Sequence, residues 1–276
     1  MNKMTFKNIL ATLFLSVALV SCSSSDDSSQ SSQNDSGSAL ERIRSRDTLL
    51  VGSSGDYRPL SYLDPETNEY WGFDVDLVEI IAKSIGVKVK YVPTSWPTLT
   101  DDMLNPALFD MAMCGITVTE ARKEIMLMSE GYLKNGKTIL CRKEDAGRFL
   151  SVEDINKKDV RVMVNPGGLN EKFARENLQD AEIIVHERNE EIPALIAEGK
   201  ADIMITEIVE APYYVQNDER LAAPLLDKPF NSGKIGALMR KGDEDLLELV
   251  NSVIDSCKKN GTLKQLHEKY GFNYNF

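Results

Sequence analysis

A chain of 276 residues is long enough for two lobes, and a formal net charge of −11 makes its surface a poor match for nucleic acid, so no nucleic-acid partner is expected. An anionic ligand would have to be captured by local positive potential, because the overall field repels it. The only two histidines, His186 and His267, stand far apart, and the four cysteines fit no zinc spacing. A metal site or a Ser-His-Asp triad is therefore not expected, and no cofactor is called for.

Lys3 and Lys7 precede an apolar run over 9–20, followed by Ser21 and Cys22. A basic start and so short an apolar run predict a signal peptide over 1–21 rather than a membrane-spanning helix. Leu19-Val20-Ser21-Cys22 resembles a bacterial lipobox, whose cysteine carries the lipid, so Cys22 is the predicted lipidation site and the membrane is met through that anchor. The Ser/Asp/Gln tract that follows has almost nothing to bury, and 22–38 is read as the lipidated cysteine and a flexible linker. The protein is thus expected to be exported and held at the cell envelope, on the periplasmic side of a membrane or at the cell surface. Export permits a disulfide among Cys114, Cys141 and Cys257, but Cys114 falls in an apolar strand pattern that suits plain core.

From residue 39 the apolar periodicity describes two similar units. The first reads as a strand over 48–53, a helix over 73–85, a strand over 87–92, a short helix near 97–104 and a strand over 109–114. The second reads as a strand over 159–164, a helix over 169–178, a strand over 182–185, a helix over 190–197 and a strand over 201–206. A strand over 235–239 and helices over 244–259 and 262–269 complete the chain. This alternation predicts an α/β fold of two lobes, each a mainly parallel sheet flanked by helices. Lobe 1 is expected to span 39–139 plus 235–276, and lobe 2 140–234. The two crossings, near 137–142 and 229–234, would form a hinge about which the lobes close on a ligand.

In open parallel sheets ligands sit beyond the carboxyl ends of the strands, so the segments there carry the candidate site. Gly115 and Thr117 with Arg122 offer a guanidinium, a hydroxyl and backbone N–H groups to a carboxylate, unless Arg122 is only a surface arginine at a helix start. Asn165-Pro166-Gly167-Gly168 runs into a helix start, which suits an anion or simply a tight turn. Tyr57, beside Asp56, and Trp96 offer ring faces to a planar ligand, or packing. Glu207 and Glu210, at i and i+3, are either two solvated acids at a helix N-terminus or a pair in which one carboxyl keeps its proton and serves as a general acid.

These segments together resemble the extracytoplasmic solute-binding proteins of polar amino-acid transporters over about 49–272. Gly55-Asp56-Tyr57-Arg58-Pro59, Val92-Pro93-Thr94-Ser95-Trp96-Pro97, Leu133-Lys134-Asn135-Gly136-Lys137-Thr138 and Asn165-Pro166-Gly167-Gly168 resemble, more narrowly, the cyclohexadienyl dehydratase branch. The resemblance implies a type II periplasmic-binding-protein fold. It also implies a lyase that converts prephenate to phenylpyruvate, arogenate to phenylalanine, or both. Glu210 is then the general acid and Glu207 the residue that meets a ligand ammonium in plain binders. Arg122 with Thr117, and Gly167-Gly168 with Asn170, hold carboxylates, while Trp96 and Tyr57 pack on the ring. The family usually has aspartate at Glu207 and threonine at Leu169, which bears on substrate preference. The other function implied is the amino-acid-binding lipoprotein of an ABC transporter, with a permease as partner.

Overall fold

Short β-branched runs alternating with amphipathic stretches build two five-stranded sheets in the computed structural model, which describes residues 37–272. The expected signal peptide and Cys22 lie outside the described residues. Ser38, expected to end the linker, caps the helix Ala39–Arg46, with its hydroxyl on the Glu41 N–H and the Glu41 carboxylate on its own N–H.

The first sheet runs in the order Lys88–Pro93, Thr48–Ser53, Met111–Ala112, Leu238–Met239, Leu127–Met128. The first three strands are parallel, and Leu238–Met239 is antiparallel to both its neighbours. The helix Phe73–Ile85 places Phe73, Leu77, Val78, Ile81 and Ile85 along one stripe, a spacing of three and four, and buries it beside Leu246, Val250 and Ile254 of Glu244–Lys259. The other face of the sheet is covered by Leu99, Met103, Phe109 and Met126.

The second sheet repeats this plan in the order Glu182–Val185, Arg161–Val164, Ile203–Glu207, Lys137–Arg142, Leu221–Ala222. Again three parallel strands meet one reversed strand, here Lys137–Arg142. Both faces are packed, one by Phe149, Ile155, Ala174 and Leu178, the other by Ile192, Ile196, Ala211 and Tyr214. Packing on both faces buries inner strands such as Ile203–Glu207 throughout, while the edge strands Lys88–Pro93 and Glu182–Val185 stay partly exposed. The two connections between the sheets run side by side as Leu133–Asn135 and Gly233–Ile235, with Gly233 opposite Asn135. The whole is the two-lobed fold of type II periplasmic binding proteins.

Residues 137–142, expected as a crossing, are a six-residue strand paired along Ile203–Glu207. The expected strand over 109–114 keeps regular pairing only at Met111–Ala112. That over 235–239 breaks into two because Gly236 leaves the ladder to donate to the Ile116 carbonyl at 2.9 Å, and Ala237 donates to Ser129 Oγ at 2.8 Å. Cys114, Cys141 and Cys257 are all free and buried.

Candidate functional site

The carboxyl ends of the parallel strands in the two sheets face one narrow cleft, with a cavity volume of about 30 Å³. The lobe of the first sheet contributes Tyr57, carried on a small antiparallel ribbon after Thr48–Ser53. It also contributes Trp96 after Lys88–Pro93, and Gly115, Thr117 and Arg122 after Met111–Ala112. The other lobe contributes Asn165, Gly168, Leu169 and Asn170 after Arg161–Val164, Asn189 after Glu182–Val185, and Glu207 at the end of its own strand. Lys137 enters from the reversed strand, directly opposite Glu207 in register.

Nine expected residues therefore meet around one space: Tyr57, Trp96, Gly115, Thr117, Arg122, Asn165, Gly168, Asn170 and Glu207. Three do not line it. Asp56 turns away, and its carboxylate accepts Trp96 Nε1–H at 3.0 and 3.2 Å, orienting the indole that meets the Tyr57 ring edge-on at 5.8 Å. Burial pushes the Asp56 carboxyl above its usual range. Gly167 and Glu210 are the other two.

Gly167 marks where the lobes touch. Its φ of +74° is left-handed, and a Cβ there would lie 2.6 Å from Pro97 N and Cα across the cleft. Because the atoms in the way are backbone, Gly167→Ala is expected to hold the lobes apart. The variant should give a larger radius of gyration by small-angle scattering than the parent chain; equal radii would show that the contact yields.

The charged centre is Glu207, only 5 % exposed. Lys137 Nζ donates to its Oε1 at 2.6 Å and Thr117 Oγ1 at 3.2 Å, while the Tyr57 hydroxyl donates to Oε2. Burial pushes the Glu207 carboxyl up, but the Lys137 ammonium together with hydrogen bonds from Lys137, Tyr57 and Asn135 outweighs it and holds the group below the usual carboxylate range. Lys137 also donates to Asn170 Oδ1 at 2.6 Å. Arg122 donates to the Thr117 carbonyl at 2.6 Å and makes no salt bridge among the described residues; Glu207 acts on its charge from elsewhere on the cleft wall. The N–H of Gly115, expected to be free for an anion, is already given to Asp74 Oδ2 at 2.7 Å. Asp74 also accepts from Tyr132 OH at 2.8 Å, and burial pushes it up to about 7 against those two donors.

Glu210 stands behind the cleft wall with no exposure at all. It does not share a helix face with Glu207: Glu207 ends a strand, and Glu210 donates its N–H back to the Glu207 carbonyl at 3.0 Å in the turn that opens the helix Ala211–Asn217. Its carboxyl accepts from Asn189 Nδ2 at 2.7 Å and from Thr206 Oγ1 at 2.5 Å. Burial pushes it up to about 8, the two hydrogen bonds pull the other way, and Glu207 and Asp56 add smaller upward pushes. The cause of its raised pKa is thus loss of water rather than repulsion within a pair. Asn189, which lines the cleft, connects Glu210 to it and also donates to the Asp56 carbonyl at 3.2 Å.

Lys137 and Asn189 are the lining residues that site reasoning from sequence misses. Residues 137–142 are expected as a crossing, and their pairing and register against the acid strand are tertiary facts. Asn189 sits in a one-turn 3₁₀ segment, Asn189–Glu191, with no pattern to mark it.

A two-lobed fold with an ionic cleft between its sheets defines the class, and the chain belongs to the bacterial extracellular solute-binding proteins, family 3, whose profile matches residues 49–273. That family agrees with an exported, envelope-associated location. Within it, the chain is 38 % identical to the cyclohexadienyl dehydratase of Pseudomonas aeruginosa over 84 % of this chain and 86 % of that protein. It is similar to the solved ancestral amino acid-binding protein AncCDT-1, a precursor of cyclohexadienyl dehydratase, with 38 % identity and a TM-score of 0.78, covering 84 % of this chain and 99 % of that one. A variant of the ancestral cyclohexadienyl dehydratase AncCDT-3 is 52 % identical with a TM-score of 0.52, covering 85 % and 96 %. Other relatives, at 22–28 % identity, are named as binding proteins for cystine, glutamine, histidine and arginine.

Proposed function

We propose that the protein is an extracytoplasmic cyclohexadienyl dehydratase acting on prephenate, arogenate or both, held at the envelope by a lipid on Cys22. The observation that carries this reading is Glu210, a fully buried carboxyl whose pKa of about 8 keeps it protonated at neutral pH. It sits behind a cleft that presents two cations, Arg122 and Lys137. A neutral carboxylic acid beside a dry cleft is a general acid.

Prephenate carries a ring hydroxyl, a ring carboxylate and a pyruvyl carboxylate. Protonation lets the hydroxyl depart as water; the ring carboxylate leaves as carbon dioxide, and its bonding electrons complete the aromatic ring. One proton is consumed per turnover, supplied by Glu210 and later restored to it from solvent. Because aromatisation drives the reaction, the protein chiefly has to position the ring and deliver that proton. Arg122 and Lys137 serve the carboxylates, Trp96 and Tyr57 flank the ring, and Asn189 connects Glu210 to the cleft.

A second reading is the binding subunit of an amino-acid ABC transporter, with a permease as partner. It is favoured by one specific observation: the Glu210 side chain does not itself line the cleft. Adding prephenate to the pure protein and following the ultraviolet absorbance of phenylpyruvate separates the two. Turnover supports the lyase; tight binding of an amino acid without turnover of prephenate or arogenate supports the receptor.

A further inference from the structure

Asp74 stands in the first turn of the helix Phe73–Ile85, and its carboxyl has no exposure at all. What keeps an acid in so dry a place is the pair of donors it holds. Its Oδ2 accepts the Gly115 N–H at 2.7 Å, and its Oδ1 accepts the Tyr132 hydroxyl at 2.8 Å. The two donors belong to different parts of the molecule. Gly115 lies on the cleft wall and begins the segment that carries Thr117 and Arg122. Tyr132 precedes Leu133–Asn135, one of the two connections between the lobes, and its N–H goes to the Ile235 carbonyl on the other.

The segment over 115–122 is fastened elsewhere to the chain around the second connection. Gly236 N–H reaches the Ile116 carbonyl at 2.9 Å, and Val118 N–H reaches the Lys234 carbonyl at 2.8 Å. Arg122 in turn hangs its guanidinium on the Thr117 carbonyl at 2.6 Å. Asp74 attaches this segment to a helix whose Leu77, Val78 and Ile81 are sunk in the core. Gly115 itself is closely confined: its φ is +80°, and a Cβ there would lie 2.2 Å from the Tyr57 ring. Deleting the Asp74 carboxyl would strand two buried donors, and the chain at Gly115 would have to move to satisfy its own. Arg122 would move with it.

We infer that Asp74 is a positioning residue for anion capture: it does not line the cleft, but by holding Gly115 and Tyr132 together it fixes where Arg122 stands relative to the two connections between the lobes. The inference rests on the dehydratase reading for its choice of probes, and its readout is affinity rather than turnover.

Prephenate and arogenate are the probes, titrated calorimetrically into the full protein. Asp74→Ala should weaken binding by at least about tenfold in Kd. Asp74→Asn should stay within about threefold of the parent, because its oxygen keeps the Gly115 N–H and the Tyr132 hydroxyl turns to accept from its amide. A double-variant cycle separates positioning from a general weakening of the fold. In an Arg122→Gln chain, which has already lost the charge, adding Asp74→Ala should cost less than about threefold more. Independent, fully multiplying losses would mean that Asp74 only supports the fold, and would overturn the inference; so would an Asp74→Ala chain that binds like its parent. If Asp74→Ala does not fold, as judged by circular dichroism, Tyr132→Phe removes one of the two bonds in its place and should show a smaller loss with the same dependence on Arg122. Binding without turnover would remove the lyase reading and leave this one standing, whereas turnover with unchanged affinity in Asp74→Ala would do the reverse. A parent chain that binds neither probe would overturn both.

Discussion

Glu210→Gln is expected to lower kcat for prephenate by roughly 10²–10⁴-fold, the range a positioned general acid contributes, with little change in KM. Glutamine is nearly isosteric: its oxygen keeps an acceptor for Asn189 and its amide N–H can donate to the Thr206 hydroxyl, so the turn and the cleft wall should stand. What disappears is the proton. Stopped assays of phenylpyruvate formation check the rate, and the same assay across pH checks the group responsible: in the parent chain, kcat should fall as pH rises through about 8, where Glu210 ionises. The stability consequence has a definite sign. Glu210 binds its proton more tightly folded than unfolded, so its contribution is fully present below the ordinary value of 4.5 and is lost as pH climbs to about 8. Glu210→Gln should therefore melt at a higher temperature than the parent at pH 9 while being nearly inactive. Equal melting temperatures at pH 9 would mean that the buried acid is not the strained group described here.

Lys137→Met should cost about 3–5 kcal/mol of stability, the usual consequence of stranding one member of a buried ion pair. Both partners are about 95 % buried and 2.6 Å apart, so neither has water to fall back on. With its cation gone, Glu207 loses the larger influences that hold its pKa down and keeps the burial that raises it, opposed only by the hydrogen bonds from Tyr57 and Asn135. In the parent chain the Glu207 contribution is present above the unfolded carboxylate pKa and is lost as pH falls through the lower folded one. In the variant the sign reverses, and stability should fall with rising pH. Adding Glu207→Gln should restore most of the loss, because the stranded charge is then absent. Urea unfolding of the two single variants and the double variant at pH 5 and pH 8 measures all three statements, and a Lys137→Met chain as stable as its parent would refute the first.

Much of this architecture is legible in the chain. Helices such as Phe73–Ile85, Glu244–Lys259 and Thr262–Lys269 keep the bounds their apolar stripes imply, and the repeated strand–helix plan is borne out by two sheets of the same order. Candidate positions after strand ends follow from the same logic, which is why nine of them converge. What the chain hides is pairing. The reversed strand Lys137–Arg142 is local sequence no different from a connection until its partner is known, and its register is what sets Lys137 against Glu207. The role of Asp74 in claiming the Gly115 N–H joins residues 41 apart, beyond any local pattern. The spacing of Glu207 and Glu210 fits either two solvated acids or an interacting pair, and the decisive quantity is how deeply each is buried, which only packing determines.

The lack of a salt bridge to Arg122 among the described residues bears on what the closed cleft can hold. Lys137 and Glu207 ride on one lobe as a neutral unit, so parting the halves leaves their mutual compensation intact. Arg122 belongs to the opposite half and travels alone. Shutting on an uncharged solute would strip its hydration without offering an anion in return, a penalty of several kcal/mol for a lone ion. An anionic guest is therefore expected to favour the closed arrangement more than a neutral one of the same size.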